Sequence, residues 1–282
     1  MYSIECVRIS DIKENPMKYN SNNHWPDGIV PADYTDINIK TDSKFWLPKF
    51  RDEFITLDFS VGDVSVLKSM LYLSRLHNKI SSIHKEDVCD IIAKFPHIDE
   101  LLKSGKFIRT ENVSLKYGKH GVGPYTNLYN IIESILTSPH GHCPLYETTT
   151  ALRLYIIPWV NINKFKEFRV FVCDGKLTAI SQQHLYDSNE LLASLEDTER
   201  TIVIRKWMDI ITSYFEGVVK INIDHMSNYV YDFAILDDDS PYFIEINPFG
   251  KEYSSGSSLY HWLTDEDKLY GKTEFIYFRY AI

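Results

Sequence analysis

No run of apolar residues in this chain reaches the ~18 positions that a membrane-spanning helix needs, so no transmembrane segment is expected. The opening stretch, MYSIECVRISDIKEN, scatters charges among apolar residues and lacks the unbroken apolar core of a signal peptide. Cysteine is sparse. Cys6, Cys89, Cys143 and Cys173 stand far apart with no CxxC pair, which argues against a disulfide framework or a zinc knuckle and predicts free thiols in a reducing, cytoplasmic setting. His140 and His142 flank Gly141 beside Cys143, but no second ligand pair matches them, so zinc is not expected. There is no GxSxG elbow, no HExxH helix, no Walker A loop and no dinucleotide GxGxxG. Positive charge is in deficit: 30 Lys and Arg face 39 Asp and Glu, for a net charge of −9. That balance excludes a generic DNA coater, which needs clustered cations. It leaves room for a local basic groove that takes a nucleotide.

What is present is ordinary globular composition, 44% hydrophobic and 24% charged, in 282 residues. The length suits one large domain or two tightly joined ones. No internal repeat, low-complexity tract or clear linker interrupts it. Turn residues at Asn15-Pro16, Pro26-Asp27-Gly28, Pro31 and Pro48 predict short strands and loops over 1–60. Residues 64–80 read as a helix. Val88, Ile91, Ile92 and Phe95 mark one helical face, and a further short helix stops at Gly105. Strands are predicted over 107–109 and 113–116, then a glycine loop, then a helix carrying Leu128, Ile131, Ile132 and Ile135 with Thr126 as N-cap. An apolar strand over 152–160 ends near Pro158. Strands 168–173 and 176–182 flank Asp174-Gly175, a strong type I′ hairpin signal. A helix over 190–215 ended by Gly217, strands over 218–225, 229–236 and 241–247, and an aromatic tail packed on the body complete the pattern. The class is α+β with antiparallel sheet in the second half.

The richest chemistry lies in Tyr229–Gly250. If the acidic turn Asp237–Ser240 closes a hairpin with Leu236 facing Pro241, then Asp232 faces Glu245, and Asn247 points the same way. Ile244 and Ile246 take the opposite, core-facing side. Two carboxylates this close repel unless a cation joins them, and a hard divalent ion such as Mg²⁺ accepts carboxylate and phosphate oxygens. The bland alternative is a solvated acidic sheet edge. Lys116, followed by Gly118, Gly121 and Gly123, could cradle phosphates through backbone N–H groups and an ammonium, or could be a plain surface loop. Arg169, inside the strand Glu167–Phe171, needs a partner: a phosphate, Asp232 or Glu245. Trp159 could line an adenine slot or belong to the core. Trp25 and Trp46 could anchor a partner or close the chain's own core.

In this order the parts resemble the ATP-grasp fold, and within it the cell division cycle protein 123 family. The runs that carry the resemblance are Glu167–Phe171, Ile180-Ser181-Gln182 and Ile244–Gly250 with its Asn-Pro-Phe-Gly. The resemblance implies two α+β subdomains with antiparallel sheets holding ATP between them. It implies phosphate contacts for Lys116 with Gly121 and Gly123, an adenine hinge at Ile157 and Trp159, a phosphate-directed catalytic role for Arg169, and Mg²⁺ ligation by Asp232, Glu245 and Asn247. Two positions depart from the family: Glu245 stands where Asp is usual, and Gln183-His184 replace a basic–acidic pair. We expect residues 1–105 to form an N-terminal α+β region suited to partner recognition, and 106–282 to form the nucleotide-binding region, the two making one compact, monomeric, cytoplasmic protein. Family membership implies an ATP-dependent assembly factor, chaperone-like, for translation initiation factor 2 through its gamma subunit. The alternative is an ATP-dependent carboxylate–amine ligase working through an acyl phosphate.

Overall fold

The computed structural model describes all residues except Asn23, Pro26, Asp27 and Ser254, so the Pro26-Asp27 turn signal lies outside the described residues. Nine strands are described: β1 (Tyr2–Val7), β2 (Ile55–Phe59), β3 (Lys106–Arg109), β4 (Leu152–Pro158), β5 (Glu167–Cys173), β6 (Lys176–Gln182), β7 (Tyr229–Ile235), β8 (Pro241–Pro248) and β9 (Ile276–Ala281). The chain divides into two compact units. One comprises Met1–Phe50 with Asn161–Ile282, the other Arg51–Val160, so the boundary expected at 105/106 falls inside the second unit. No described helix is long and apolar enough to cross a membrane.

The first unit is built on a six-stranded sheet in the order β1-β9-β6-β5-β7-β8. Strands β6, β5, β7 and β8 pair antiparallel as the hairpin signals predict. At the β5–β6 turn Asp174 and Gly175 both have positive φ, 50° and 66°, which is why the short Asp-Gly pair stands there. The tail is not merely packed on the body. It becomes β9, paired in parallel with both β1 and β6, so the sheet is mixed. Residues 1–60 are more helical than their turn residues suggest, with helices at Ile9–Glu14, Tyr34–Ile39 and Ser43–Phe50. Trp46 is wholly buried against Phe243, and Trp25 donates its indole N–H to the Glu252 carbonyl, so both tryptophans serve the unit's own packing.

Alternation along β5 and β7 sends Phe168, Tyr231 and Phe233 to one face, where Trp207, Tyr214 and Phe215 cover them. The covering helix, Asp197–Tyr214, does not stop at Gly217. It runs on through a π-helical turn, Phe215–Val219, into Lys220–Asn222, where a strand over 218–225 is expected from sequence. Burial of Phe215, Val219 and Ile223 is the physical reason, since a short apolar run serves a helix as well as a strand. In this core the Tyr231 hydroxyl is buried with no hydrogen-bond partner among the described residues. Tyr231→Phe is therefore expected to raise the unfolding free energy by about 1 kcal/mol. A urea titration reads this directly, and a loss of stability would show that the hydroxyl is satisfied.

The second unit carries the antiparallel sheet β2-β4-β3. Its core gathers around the helix Leu128–Thr137, buried on almost every side. The N-cap of that helix is Asn127, whose Oδ1 accepts from the Asn130 N–H, one residue beyond the expected Thr126. The expected strand over 113–116 reduces to one isolated bridge, Arg109 with Ser114.

Candidate functional site

The hairpin β7–β8 reaches the expected pairing by a route that the sequence conceals. Ile235, not Leu236, faces Pro241, and the Leu236 N–H donates to the Ser240 carbonyl. The register shifts between Asp232 and Phe233, leaving Ile244 opposite no residue. That bulge restores the match of Asp232 with Glu245, and of Val230 with Asn247. It also changes the core-facing set: Phe243 and Ile246 are buried, while Ile244 is only half-buried.

Direct register then lines up one row across the whole sheet: Glu5, Arg279, Ser181, Arg169, Asp232, Glu245. At one end of the row Arg279 is fully engaged in structure, bridging Glu5 and Asp265 at 2.6–2.8 Å and donating to the Leu259 carbonyl. At the other end Arg169 clamps Asp232 bidentately, Nε to Oδ1 and Nη2 to Oδ2, both at 2.8 Å, while Nη1 donates to the Gly256 carbonyl at 2.7 Å. The two side chains are 12% and 3% exposed. Gln183 Nε2 and Asn247 Nδ2 also approach Asp232 Oδ2, at 3.4 and 3.5 Å. Two residues back along β5, Glu167 Oε2 accepts a hydrogen bond from His184 Nε2 at 3.1 Å, and that bond raises the imidazole pKa.

Burial opposes the charge on Arg169, but Asp232 beside it more than offsets this and holds the guanidinium pKa above its ordinary value. Burial pushes the Asp232 carboxyl up, with the carboxylates of Glu245 and Glu167 adding, against the pull of Arg169. The acidic pair is thus no solvated edge on the Asp232 side. Asp232 and Glu245 bring carboxylate oxygens and Asn247 an amide oxygen, donor types that suit Mg²⁺, while Asn247 turns its Nδ2 toward Asp232. Arg169 meets two carboxylates along the row, which leaves one negative charge in excess. Among the described residues no three His, Cys, Asp or Glu side chains gather into a metal cage, so the metal reading rests on two carboxylates and an amide.

In the second unit Lys116 is exposed, its ammonium 5.5 Å from the Tyr117 ring. The glycine loop is tied to the helix Leu128–Thr137. The Lys119 N–H donates to Thr137 Oγ1 and the His120 N–H to Ser134 Oγ, while the Gly118 and Gly121 N–H groups bond within the loop. Four of its amides are therefore committed to the fold. Gly121 and Gly123 hold φ of 66° and 115°, and a Cβ on Gly123 would sit 3.2 Å from the Trp159 ring. Ile157 is buried on β4 opposite Phe107, and Trp159 is half-buried. Sequence reasoning passed over Arg109, a cation 2% exposed at the end of the short strand β3, where two of four residues are charged and no pattern marks it. It noted Gln183 only as a departure from the family, with no contact to Asp232, and it missed the Gly256 carbonyl, for which no local signal exists.

A family model described as D123 matches residues 128–280, a span that includes Ile157, Trp159, Arg169, Asp232, Glu245 and Asn247 and begins after the glycine loop. Among solved structures the chain is similar to Cdc123 from Schizosaccharomyces pombe, with 15% identity and a TM-score of 0.62 over 90% of this chain and 99% of that one. A C-terminally truncated form of the same yeast protein gives the same figures. A RimK domain ATP-grasp protein from Sphaerobacter thermophilus matches with 12% identity and a TM-score of 0.34, over 74% of this chain and 58% of that one. No curated protein matches the chain.

Proposed function

The chain belongs to the D123 family, and on that premise we propose that it binds ATP with Mg²⁺ and acts as an assembly factor for translation initiation factor 2, through that factor's gamma subunit. The observation that carries the nucleotide part is the buried Arg169–Asp232 clamp with Glu245 in register beside it and Asn247 on the same face. A divalent ion bound there supplies charge neutralisation for phosphate oxygens. Asp232, Glu245 and Asn247 would hold it, and Arg169, already fixed in orientation, would meet a phosphate without reorganising. The contacts that the family resemblance gives Lys116, Gly121, Gly123, Ile157 and Trp159 belong to the same proposal. The assembly role rests on the family alone.

Glu245→Gln tests the nucleotide reading, because it removes one ligand charge while leaving the Arg169–Asp232 clamp in place. A ligand that binds only the folded state stabilises it by ~2.7 kcal/mol at ~100 times its Kd. Wild type is expected to show a thermal shift with ATP that needs Mg²⁺, and Glu245→Gln to lose the Mg²⁺-dependent part. No shift in wild type at millimolar ATP would end the nucleotide reading. Steady ADP release that depends on a small acceptor would move the protein from assembly factor to ligase. Retention of the initiation factor's gamma subunit in a pull-down, with negligible turnover, is the result expected of an assembly factor.

A further inference from the structure

A polar cavity lies within the second unit, with a volume of about 450 Å³ and with Lys79, Lys85 and Lys119 on its wall. That size is in the usual range for a small-molecule pocket. Its acidic wall residue, Glu133, is only 5% exposed, and its charge is spent inward. Oε1 accepts from the Ile80 N–H at 3.1 Å, and Oε2 meets His120 Nε2 at 2.8 Å and Lys119 Nζ at 3.0 Å. Burial alone would raise its pKa, but these three donors hold it below the usual carboxylate range, so Glu133 stays ionised and anchors one side of the cavity. Lys79 and Lys85 have no ion-pair partner among the described residues, and the hydroxyls of Ser81 and Ser82 donate to none of them. Three lysines and one satisfied carboxylate thus line the cavity, Lys119 paired to that carboxylate, in a chain whose net charge is −9.

We propose that this cavity binds the phosphoryl group of a small phosphomonoester. Lysine is a compact point charge that suits phosphate, and a phosphoryl dianion presents three terminal oxygens to the ammonium and hydroxyl donors. The remaining volume accepts the organic part. The proposal does not depend on ATP binding, since it uses neither the carboxylate row nor Lys116.

The test is calorimetric titration at one fixed ionic strength with inorganic phosphate and with glycerol phosphate, on wild type and on the double variant Lys79→Gln, Lys85→Gln. Both substitutions are at exposed positions, so the variant is expected to fold, with an unchanged unfolding temperature and an unchanged response to ATP and Mg²⁺. Wild type should bind both probes saturably at one site, the ester at least as tightly as phosphate. Loss of two charge-assisted contacts should weaken binding by about tenfold or more. Wild type without saturable binding, an unweakened double variant, or a site that takes phosphate but excludes the ester would each overturn the proposal.

Discussion

Asp232→Ala is expected to destabilise the first unit by ~3–5 kcal/mol, the loss typical when one partner of a buried ion pair is removed. The size follows from what remains. Arg169 would keep its bond to the Gly256 carbonyl but lose both carboxylate contacts, and its guanidinium has little access to water. Asp232→Asn keeps the shape and one acceptor oxygen, so it should cost less than the alanine change. Replacing both partners, Arg169→Met with Asp232→Leu, should recover much of the loss, because a well-packed apolar pair often equals a buried ion pair in stability. The double variant should nonetheless fail to give the Mg²⁺-dependent ATP shift. Urea unfolding followed by circular dichroism measures the first three numbers. If the alanine change costs under ~1 kcal/mol, water reaches Arg169 freely and the clamp is no rigid part of a site. If the double replacement is stable and still responds to ATP with Mg²⁺, the pair is structural and the nucleotide, where it binds, is held elsewhere.

The juxtaposition of Asp232 with Glu245 was legible because strand alternation and a short acidic turn leave few registers open. It was legible for an incomplete reason. The turn is one residue tighter than its composition suggests, and the bulge at Ile244 compensates. Bulges have no dependable local signature; here Ile244 looks like a core residue in sequence and stands half-buried. The partner of Arg169 was open among three candidates, and only the pairing of β5 with β7 selects Asp232. The rest of the row was invisible for a different reason. Glu5 and Arg279 come from opposite ends of the chain, and their pairing on β1 and β9 is a tertiary event that no local pattern encodes. The strand expected over 218–225 failed where a buried apolar run has no period long enough to choose between helix and strand, and a neighbouring sheet face chose for it.

The glycine loop gives the second large effect, and it separates two uses of the same residue. Gly118→Ala is expected to destabilise the second unit by ~3 kcal/mol, at the upper end of the cost of overpacking. A Cβ on Gly118 would overlap the Ser134 carbonyl oxygen and lie 2.6 Å from the Ser134 Cα and Cβ. Ser134 sits in the middle of a helix buried on almost every side, so the backbone there has nowhere to retreat. The loop would have to lift instead, taking with it the bonds from the Lys119 and His120 amides. Gly121→Ala is the matched control. A Cβ there meets nothing, so its cost is limited to the ~1–2 kcal/mol of a left-handed alanine. Unfolding of both variants, read beside their ATP response, assigns the loop. A phosphate cradle predicts that Gly121→Ala blunts the ATP response out of proportion to its small loss of stability. A packing loop predicts that Gly118→Ala loses stability heavily while Gly121→Ala keeps the wild-type response. The four amides already bonded within the second unit favour the packing outcome for Gly118 to Gly121, which would leave Lys116, exposed on the loop, and Gly123 as its contributions to a nucleotide site.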